Sequence, residues 1–89
     1  MTAEEARMKL KQTFAGNWES TEHRFVVPPN EDVRVVVAKR SSDWSVWVED
    51  YRGEAGWLRR PKSMIECGIH ETHARAVAER LWRKLVVSR

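Results

Sequence analysis

The segments VRVVVA (33–38), WSVWVE (44–49) and GWLRR (56–60) decide the fold of this chain. Their side chains alternate along the chain, and a two-residue period is typical of β-strands. Ser, Asp, Gly and charged residues fill the connections at 41–43 and 52–55, as expected of tight turns. The pattern therefore predicts a three-stranded antiparallel meander from Val33 to Arg60.

Alternation assigns each side chain of the meander to one of two faces. The predicted inner face, which carries the core, consists of Val33, Val35, Val37, Trp44, Val46, Val48 and Leu58. The opposite, outer face consists of Arg34, Arg40, Trp47, Tyr51, Trp57 and Arg59, together with Val36, Ala38 and Glu49. A shift of one residue in the pairing register would exchange the two faces for a whole strand.

Helical patterns lie on either side of the meander in the chain. An apolar stripe at helical spacing follows the N-cap candidate Thr2 and consists of Ala3, Ala6, Leu10 and Phe14. A second stripe follows the N-cap candidate Thr72, with Trp82 on its flank, and consists of Ala74, Val77, Ala78, Leu81 and Leu85. In this helix Glu79 and Arg83 stand at the favourable i,i+4 spacing for an ion pair.

Two short segments, residues 23–27 and 61–69, lie outside the meander and the two helical patterns. Residues 23–27 have strand composition, and residues 61–69 fit either a turn or a small additional pairing. We predict one α+β domain over residues 1–89, with an N-terminal helix, a three- to four-stranded antiparallel sheet, and a C-terminal helix packed on one sheet face. The residues expected to be nearly fully buried are Val35, Val46, Leu58, Val77 and Leu81.

Composition narrows the functional classes. The formal net charge is +3, and the single cysteine excludes an intrachain disulfide, so a reducing cytoplasm is expected. The longest apolar run, 35–38, is far too short to cross a membrane. Positive charge is concentrated in the second half of the chain and arginine is abundant, which suits a phosphate-rich partner. A GC-rich genome would produce the same arginine excess without selection on function.

No motif for catalysis or cofactor binding is present. The four glycines are scattered, so neither a phosphate-binding loop nor a dinucleotide-binding pattern occurs. Glu49 and Asp50 are adjacent acids, but neighbouring strand residues point to opposite faces and do not converge on one metal ion. We therefore expect no enzymatic activity, no catalytic residues and no cofactor.

One spacing resembles metal ligation. Cys67, His70 and His73 carry a thiol and two imidazoles, which are zinc ligands, but a structural zinc site normally needs four. The fourth ligand could come from Glu66, Glu71 or His23, and none is placed by a motif. The interpretation favoured here is a buried thiol beside two polar histidines at the start of a helix, with no metal.

The outer face is the candidate binding site. Rings for base stacking and cations for phosphates stand together there in Arg34, Arg40, Trp47, Tyr51, Trp57 and Arg59. The leading hypothesis is a small non-enzymatic protein that binds nucleic acid through this face. The alternative is an inhibitor or adaptor that binds a protein partner there, with a homodimer as one form, because Trp and Arg also dominate protein interfaces.

The order helix, three strands, helix is similar to that of the double-stranded RNA-binding domain, and residues 74–81 resemble that family's alanine-rich last helix. Glu71, Thr72 and His73 stand where that family has a basic cluster. Residues 44–85 also resemble the small sheet-plus-helix DNA-binding domains of phage integrases. That second likeness is carried by Trp44, Trp47, Trp57 and Thr72. Both likenesses concern topology, and both imply nucleic-acid binding.

Overall fold

The computed structural model describes residues 22–87 of the chain. Its strands and helix are β1 (Glu22–Val26), β2 (Val33–Arg40), β3 (Asp43–Tyr51), β4 (Trp57–Arg59), β5 (Ile65–Gly68) and α1 (Glu71–Val87). The predicted α+β class, the antiparallel sheet and the C-terminal helix on one sheet face are confirmed. The predicted N-terminal helix lies outside the described residues. The sheet has five strands rather than three or four.

The fifth strand arises because β3 is long enough to pair twice along one edge. The strands lie in the order β1-β2-β3-β4, and β5 also pairs with β3. Residues 49–51 of β3 pair with β4, while residues 44–46 pair with β5. Pro61, which lacks a backbone donor, stands between the two short strands. Residues 61–69 thus contain a strand pairing, one of the two possibilities that the sequence left open.

The pairing register confirms the predicted faces of β2 and β3. Val35 lies opposite Val48 and Val37 opposite Val46, so the valines of both strands share the inner face. All four are buried in the main core. Leu58 was predicted to join them but is 49% exposed. The reason is its position on a three-residue edge strand opposite Asp50, whereas α1 packs mainly against β2, β3 and β5.

The helix contributes a different stripe to the core from the one predicted. Its buried residues are Ala74, Ala78, Trp82 and Val86, which recur at intervals of four. Val77, Leu81 and Leu85 are only partly buried against the same core. The predictions of nearly full burial were therefore correct for Val35 and Val46 and wrong for Leu58, Val77 and Leu81. The Trp82 ring is the largest of these side chains and is 2% exposed within the main core.

The start of α1 differs from the predicted N-cap, whereas the predicted ion pair on the helix is present. The helix begins at Glu71, and the carbonyl of His70 accepts the first helical bond from Ala74 at 3.2 Å, so Thr72 lies inside the first turn rather than at the cap. Glu79 and Arg83 form the expected ion pair. No helix in the part of the chain that the structure describes has the length and apolar character needed to cross a membrane.

Candidate nucleic-acid interface on the outer sheet face

The register brings all the residues of the predicted site to the outer face. Arg34 and Arg59 both lie beside Glu49, one on each neighbouring strand. Tyr51 lies directly opposite Trp57. Arg40 is at the far end of the same face, where β2 pairs with Asp43 at the hairpin turn. The six residues share a side of the sheet, but their exposure divides them into two groups.

Trp47 belongs to a second, smaller core rather than to an open surface. Its side chain is 5% exposed and forms a buried cluster with Val36 and Ala38, against which Met64 packs. The guanidinium of Arg40 lies 5.6 Å from the centre of the Trp47 ring. The Trp47 ring is therefore covered and not open for base stacking. Two apolar residues beside Trp47 in the outer-face pattern were the sequence signal for this second apolar layer.

A buried polar network lies next to Trp47. Glu49 accepts hydrogen bonds at Oε1 from Nε of Arg34 at 2.7 Å and at Oε2 from Nε1 of Trp47 at 3.0 Å. A second nitrogen of Arg34 lies 2.6 Å from the same Oε1, and the two side chains are only 17% and 12% exposed. Charge-assisted bonds of this kind are short and geometrically specific. Glu49 thus fixes both the arginine and the tryptophan on the outer face.

The network shifts the ionisation of Glu49. Burial by itself would raise the pKa of this carboxyl, since it disfavours the charged form. The hydrogen bonds from Trp47 and Arg34, together with the positive charges of Arg34 and Arg24, outweigh burial and hold the pKa below its ordinary value. Glu49 is accordingly ionised at neutral pH. Its charge compensates Arg34, which makes this arginine a structural cation more than a phosphate ligand.

Arg34 also positions the exposed end of the face. Its guanidinium carbon lies 4.1 Å from the centre of the Trp57 ring, within the range of a cation–π contact. The Trp57 ring in turn lies 5.4 Å from the ring of Tyr51, with 55° between the planes. Trp57 is half-buried, whereas Tyr51 is 52% exposed. In the resulting aromatic pair, Trp57 contacts the guanidinium of Arg34, and Tyr51 is open to solvent.

Two exposed arginines lie near this pair in the chain. Arg59 follows Trp57 by two residues on β4, and Arg52 follows Tyr51 at the end of β3. Neither takes part in the ion pairs seen among residues 22–87, which instead join Arg24 to Glu22, Arg34 to Glu49, Arg60 to Asp50 and Arg83 to Glu79. Glu54 is exposed in the adjoining 3-10 turn, Gly53–Ala55, and partly offsets their charge. We call Tyr51, Arg52, Trp57 and Arg59 the aromatic end.

The acidic pair Glu49–Asp50 does not form a metal site. Glu49 faces outward, whereas Asp50 lies opposite Val33 and Leu58 of the inner-face register. Asp50 accepts two hydrogen bonds from Arg60, at 3.0 and 2.7 Å. The two carboxylates are each held by a different arginine on a different face. The prediction that they diverge is confirmed.

Cys67 and its neighbouring histidines have different environments. Cys67 is 5% exposed within the main core, and its thiol lies 3.7 Å from the carbonyl oxygen of Ile65. Burial raises the pKa of the Cys67 thiol, which opposes formation of the thiolate that binds metal. His70 and His73 are exposed. Within residues 22–87 no three side chains of the ligand types cluster as a metal site.

We expect the purified protein to bind no stoichiometric zinc and to keep its melting temperature in the presence of a chelator. The physical reason is that the only thiol points into the core while both imidazoles face solvent. Elemental analysis measures the metal content, with His73→Ala as the comparison. One equivalent of zinc that is lost in this variant would contradict the expectation.

Comparison with known proteins supplies no function for this chain. No protein-family model matches the chain. No curated protein and no solved structure matches it either. The likeness in topology to RNA-binding and integrase domains therefore gains no support from similarity, and a function has to be argued from the exposed surface of the chain itself.

Proposed function

We propose that the protein is a non-enzymatic nucleic-acid-binding protein that holds single strands weakly and without sequence preference at the aromatic end. The observation that carries the proposal is the exposed Tyr51 ring, which lies against Trp57, with the exposed Arg59 two residues after Trp57 on the same face of β4 and the exposed Arg52 next to Tyr51 in the chain. A base stacked on an aromatic side chain contributes about 1–3 kcal/mol, and every base offers a face for it. The arginines supply the phosphate contacts that stacking alone lacks.

The geometry supports a smaller site than the whole outer face. Trp47 has no ring face open to a base, and Arg34 is already compensated by Glu49. Arg40 remains exposed, but it lies at the hairpin end of β2 and contacts Trp47 rather than the Tyr51–Trp57 pair. The exposed aromatic surface available to a homodimer is also limited, because Trp47 is buried. Few phosphate contacts are then available, so affinity is expected to be micromolar or weaker.

The net charge of the chain and the free thiol of Cys67 are consistent with this role. The chain carries a formal net charge of +3, which favours association with a polyanion of any sequence. Glu54 beside the aromatic end lowers the local positive charge, which again favours weak binding. Cys67 is a buried free thiol and fits a reducing compartment such as the cytoplasm.

The proposal is tested by fluorescence anisotropy with a labelled single strand and the matching duplex at two salt concentrations. We expect Tyr51→Ala to weaken single-strand binding by about 1–3 kcal/mol, because the stacking ring is lost. Arg59→Gln should reduce the slope of log affinity against log salt by about one unit, since one phosphate contact disappears. The exposed Arg80→Gln on α1 removes the same charge away from the site and serves as the matched control.

Two results would contradict the proposal. The first is the absence of binding to either form at low salt, which would leave a protein partner as the ligand of this face. The second is equal binding by Tyr51→Ala, Arg59→Gln and the unaltered protein, which would move the site to the basic side of α1. Trp57→Ala is a less selective variant, because it also removes the cation–π contact with Arg34.

A further inference from the structure

An apolar groove of about 360 Å³ lies on the other side of the sheet, between the C-terminal half of α1 and the segment that joins β4 to β5. Its apolar walls are formed by Val48 of β3, Ile65 of β5, and Leu81 and Leu85 of α1. Two lysines, Lys62 and Lys84, stand at its rim. The volume is at the lower end of the range of about 300–1,000 Å³ for binding pockets.

The groove exists because α1 directs a different stripe into the core. Trp82 and its alanine neighbours occupy the space above the sheet, which leaves Leu81 on the side of the helix and only partly buried. Ile65 is 37% exposed although it lies opposite Val46 on the inner face. These side chains retain apolar surface that faces a concavity rather than lying flat among polar groups. A concave surface with apolar walls is the usual form of a binding pocket.

The positive charges at the rim of the groove favour an acidic ligand. The cations among the described lining residues are Arg60, Lys62 and Lys84, and no carboxylate is among those residues. Arg60 is already matched by Asp50, whereas Lys62 and Lys84 are exposed and take part in none of the ion pairs seen in residues 22–87. The groove therefore combines an apolar floor with two uncompensated positive charges. Electrostatic complementarity favours a partner with apolar anchors and a surplus of carboxylates.

We infer that this groove docks an acidic amphipathic peptide segment of a partner protein, with its apolar side chains against Leu81 and Ile65 and its carboxylates near Lys62 and Lys84. Such a segment fits as a short helix, whose apolar residues recur at i, i+4 and i+7. A nucleic acid is the less suitable ligand, because the described lining residues include no aromatic ring for stacking.

The groove and the aromatic end are on opposite faces of the sheet. Val48 points to the inner face, whereas Tyr51 lies on the outer face of the same strand. Two ligands can therefore bind at once without contact between them. This inference stands independently of the proposed nucleic-acid binding, since neither site shares a side chain with the other.

The test uses a fluorescein-labelled synthetic helical peptide with Leu and Phe at i, i+4 and i+7 and Glu at most other positions. Two matched peptides replace every Glu by Lys, or the apolar anchors by Ser. Anisotropy is expected to show binding of the acidic peptide about tenfold or more tighter than that of either matched peptide. Backbone amide shifts in a ¹⁵N-labelled sample should be largest around residues 62–65 and 81–85.

Protein variants then locate the site. Lys62→Glu combined with Lys84→Glu should weaken binding of the acidic peptide by about tenfold or more, because two attractions become repulsions. Lys39→Glu combined with Arg80→Glu makes the same change of charge on exposed residues that do not line the groove, and it should leave binding nearly unchanged. Ile65→Ser tests the apolar wall, with circular dichroism as the check on folding.

Four outcomes would overturn the inference. They are no binding at millimolar peptide, equal binding of the acidic and basic peptides, equal loss in the groove and control variants, and displacement of the peptide by a single-stranded oligonucleotide that itself shifts the groove amides. Nucleic-acid binding lost in Tyr51→Ala with peptide binding retained would support two separate sites.

Discussion

Replacing Trp82 with alanine is expected to lower the free energy of unfolding by about 3–5 kcal/mol, the range for truncation of a buried large aromatic side chain. Trp82 is 2% exposed and is the largest of the fully buried side chains. It also links the helix to the far edge of the sheet, because its Nε1 donates a hydrogen bond to the carbonyl oxygen of Val26 at 2.9 Å. A domain of ordinary stability, about 5–15 kcal/mol, would lose much of its margin.

The conservative variant Trp82→Phe separates packing from hydrogen bonding. It retains most of the apolar ring but leaves the Val26 carbonyl without this donor, which should cost about 1–3 kcal/mol. Urea unfolding followed by circular dichroism measures both variants. Amide exchange at Val27, whose nitrogen donates to the Val33 carbonyl at 2.8 Å, should accelerate in Trp82→Phe if β1 is held by the indole.

Trp57→Ala is the matched control for Trp82→Ala, because it removes the same side chain from a half-buried position on an edge strand. Its cost should be clearly smaller than that of Trp82→Ala, since less apolar surface is lost. A loss below about 1 kcal/mol for Trp82→Ala would contradict the docking of α1 through this ring.

The pattern of residues 33–49 predicted the antiparallel pairing of β2 with β3 and the faces of both strands correctly, because one physical rule governs them. A two-residue period fixes which side chains of a strand share a face, and Val35 and Val37 lie on the inner face opposite Val48 and Val46. The α+β class and the presence of the last helix followed from equally strong periodicities. The predicted burial of Leu58 was wrong because β4 has only three residues. The exposure of its side chains therefore depends on which neighbouring elements cover them.

The buried stripe of the helix and the exposure of the candidate site could not be predicted from sequence periodicity. A helical period does not distinguish a stripe centred on Leu81 from one centred on Trp82, because the residues of both recur at spacings that bring them to one side of a helix. Only the space above the sheet decides between them. In the same way, alternation placed Trp47 on the outer face but did not reveal that Val36 and Ala38 would form a second core with it. The site predicted from sequence therefore contained a buried ring, Trp47, and an arginine, Arg34, whose side chain is 17% exposed and paired with Glu49.

Replacing Glu49 with alanine is expected to destabilise the fold by about 3–5 kcal/mol, as for other buried ion pairs that lose one partner. The change would leave the Arg34 guanidinium and the Trp47 indole nitrogen without their acceptor, and both side chains are largely buried. Glu49→Gln keeps an acceptor oxygen but removes the charge, so its cost should be smaller. Urea unfolding at neutral pH measures both.

The pKa of Glu49 predicts how this cost depends on pH. Because the folded state lowers the pKa of this carboxyl, proton binding favours the unfolded chain. The stabilisation by ionised Glu49 is therefore fully present above the unfolded-state pKa of about 4.3 and is lost as the pH falls through the lower folded-state pKa. The difference in unfolding free energy between the unaltered protein and Glu49→Gln should accordingly be largest at neutral pH and shrink below about pH 4.

Glu22→Gln is the matched control for this pH dependence. Glu22 pairs with Arg24 at 2.7 Å on the exposed edge strand, with both side chains open to solvent. An exposed pair contributes at most about 1 kcal/mol, so this variant should follow the unaltered protein closely over the whole pH range. If Glu49→Gln also followed it, the buried carboxylate would not hold Arg34. Trp57 would then lose the fixed guanidinium that positions the aromatic end, and the proposed stacking site would lose its structural support.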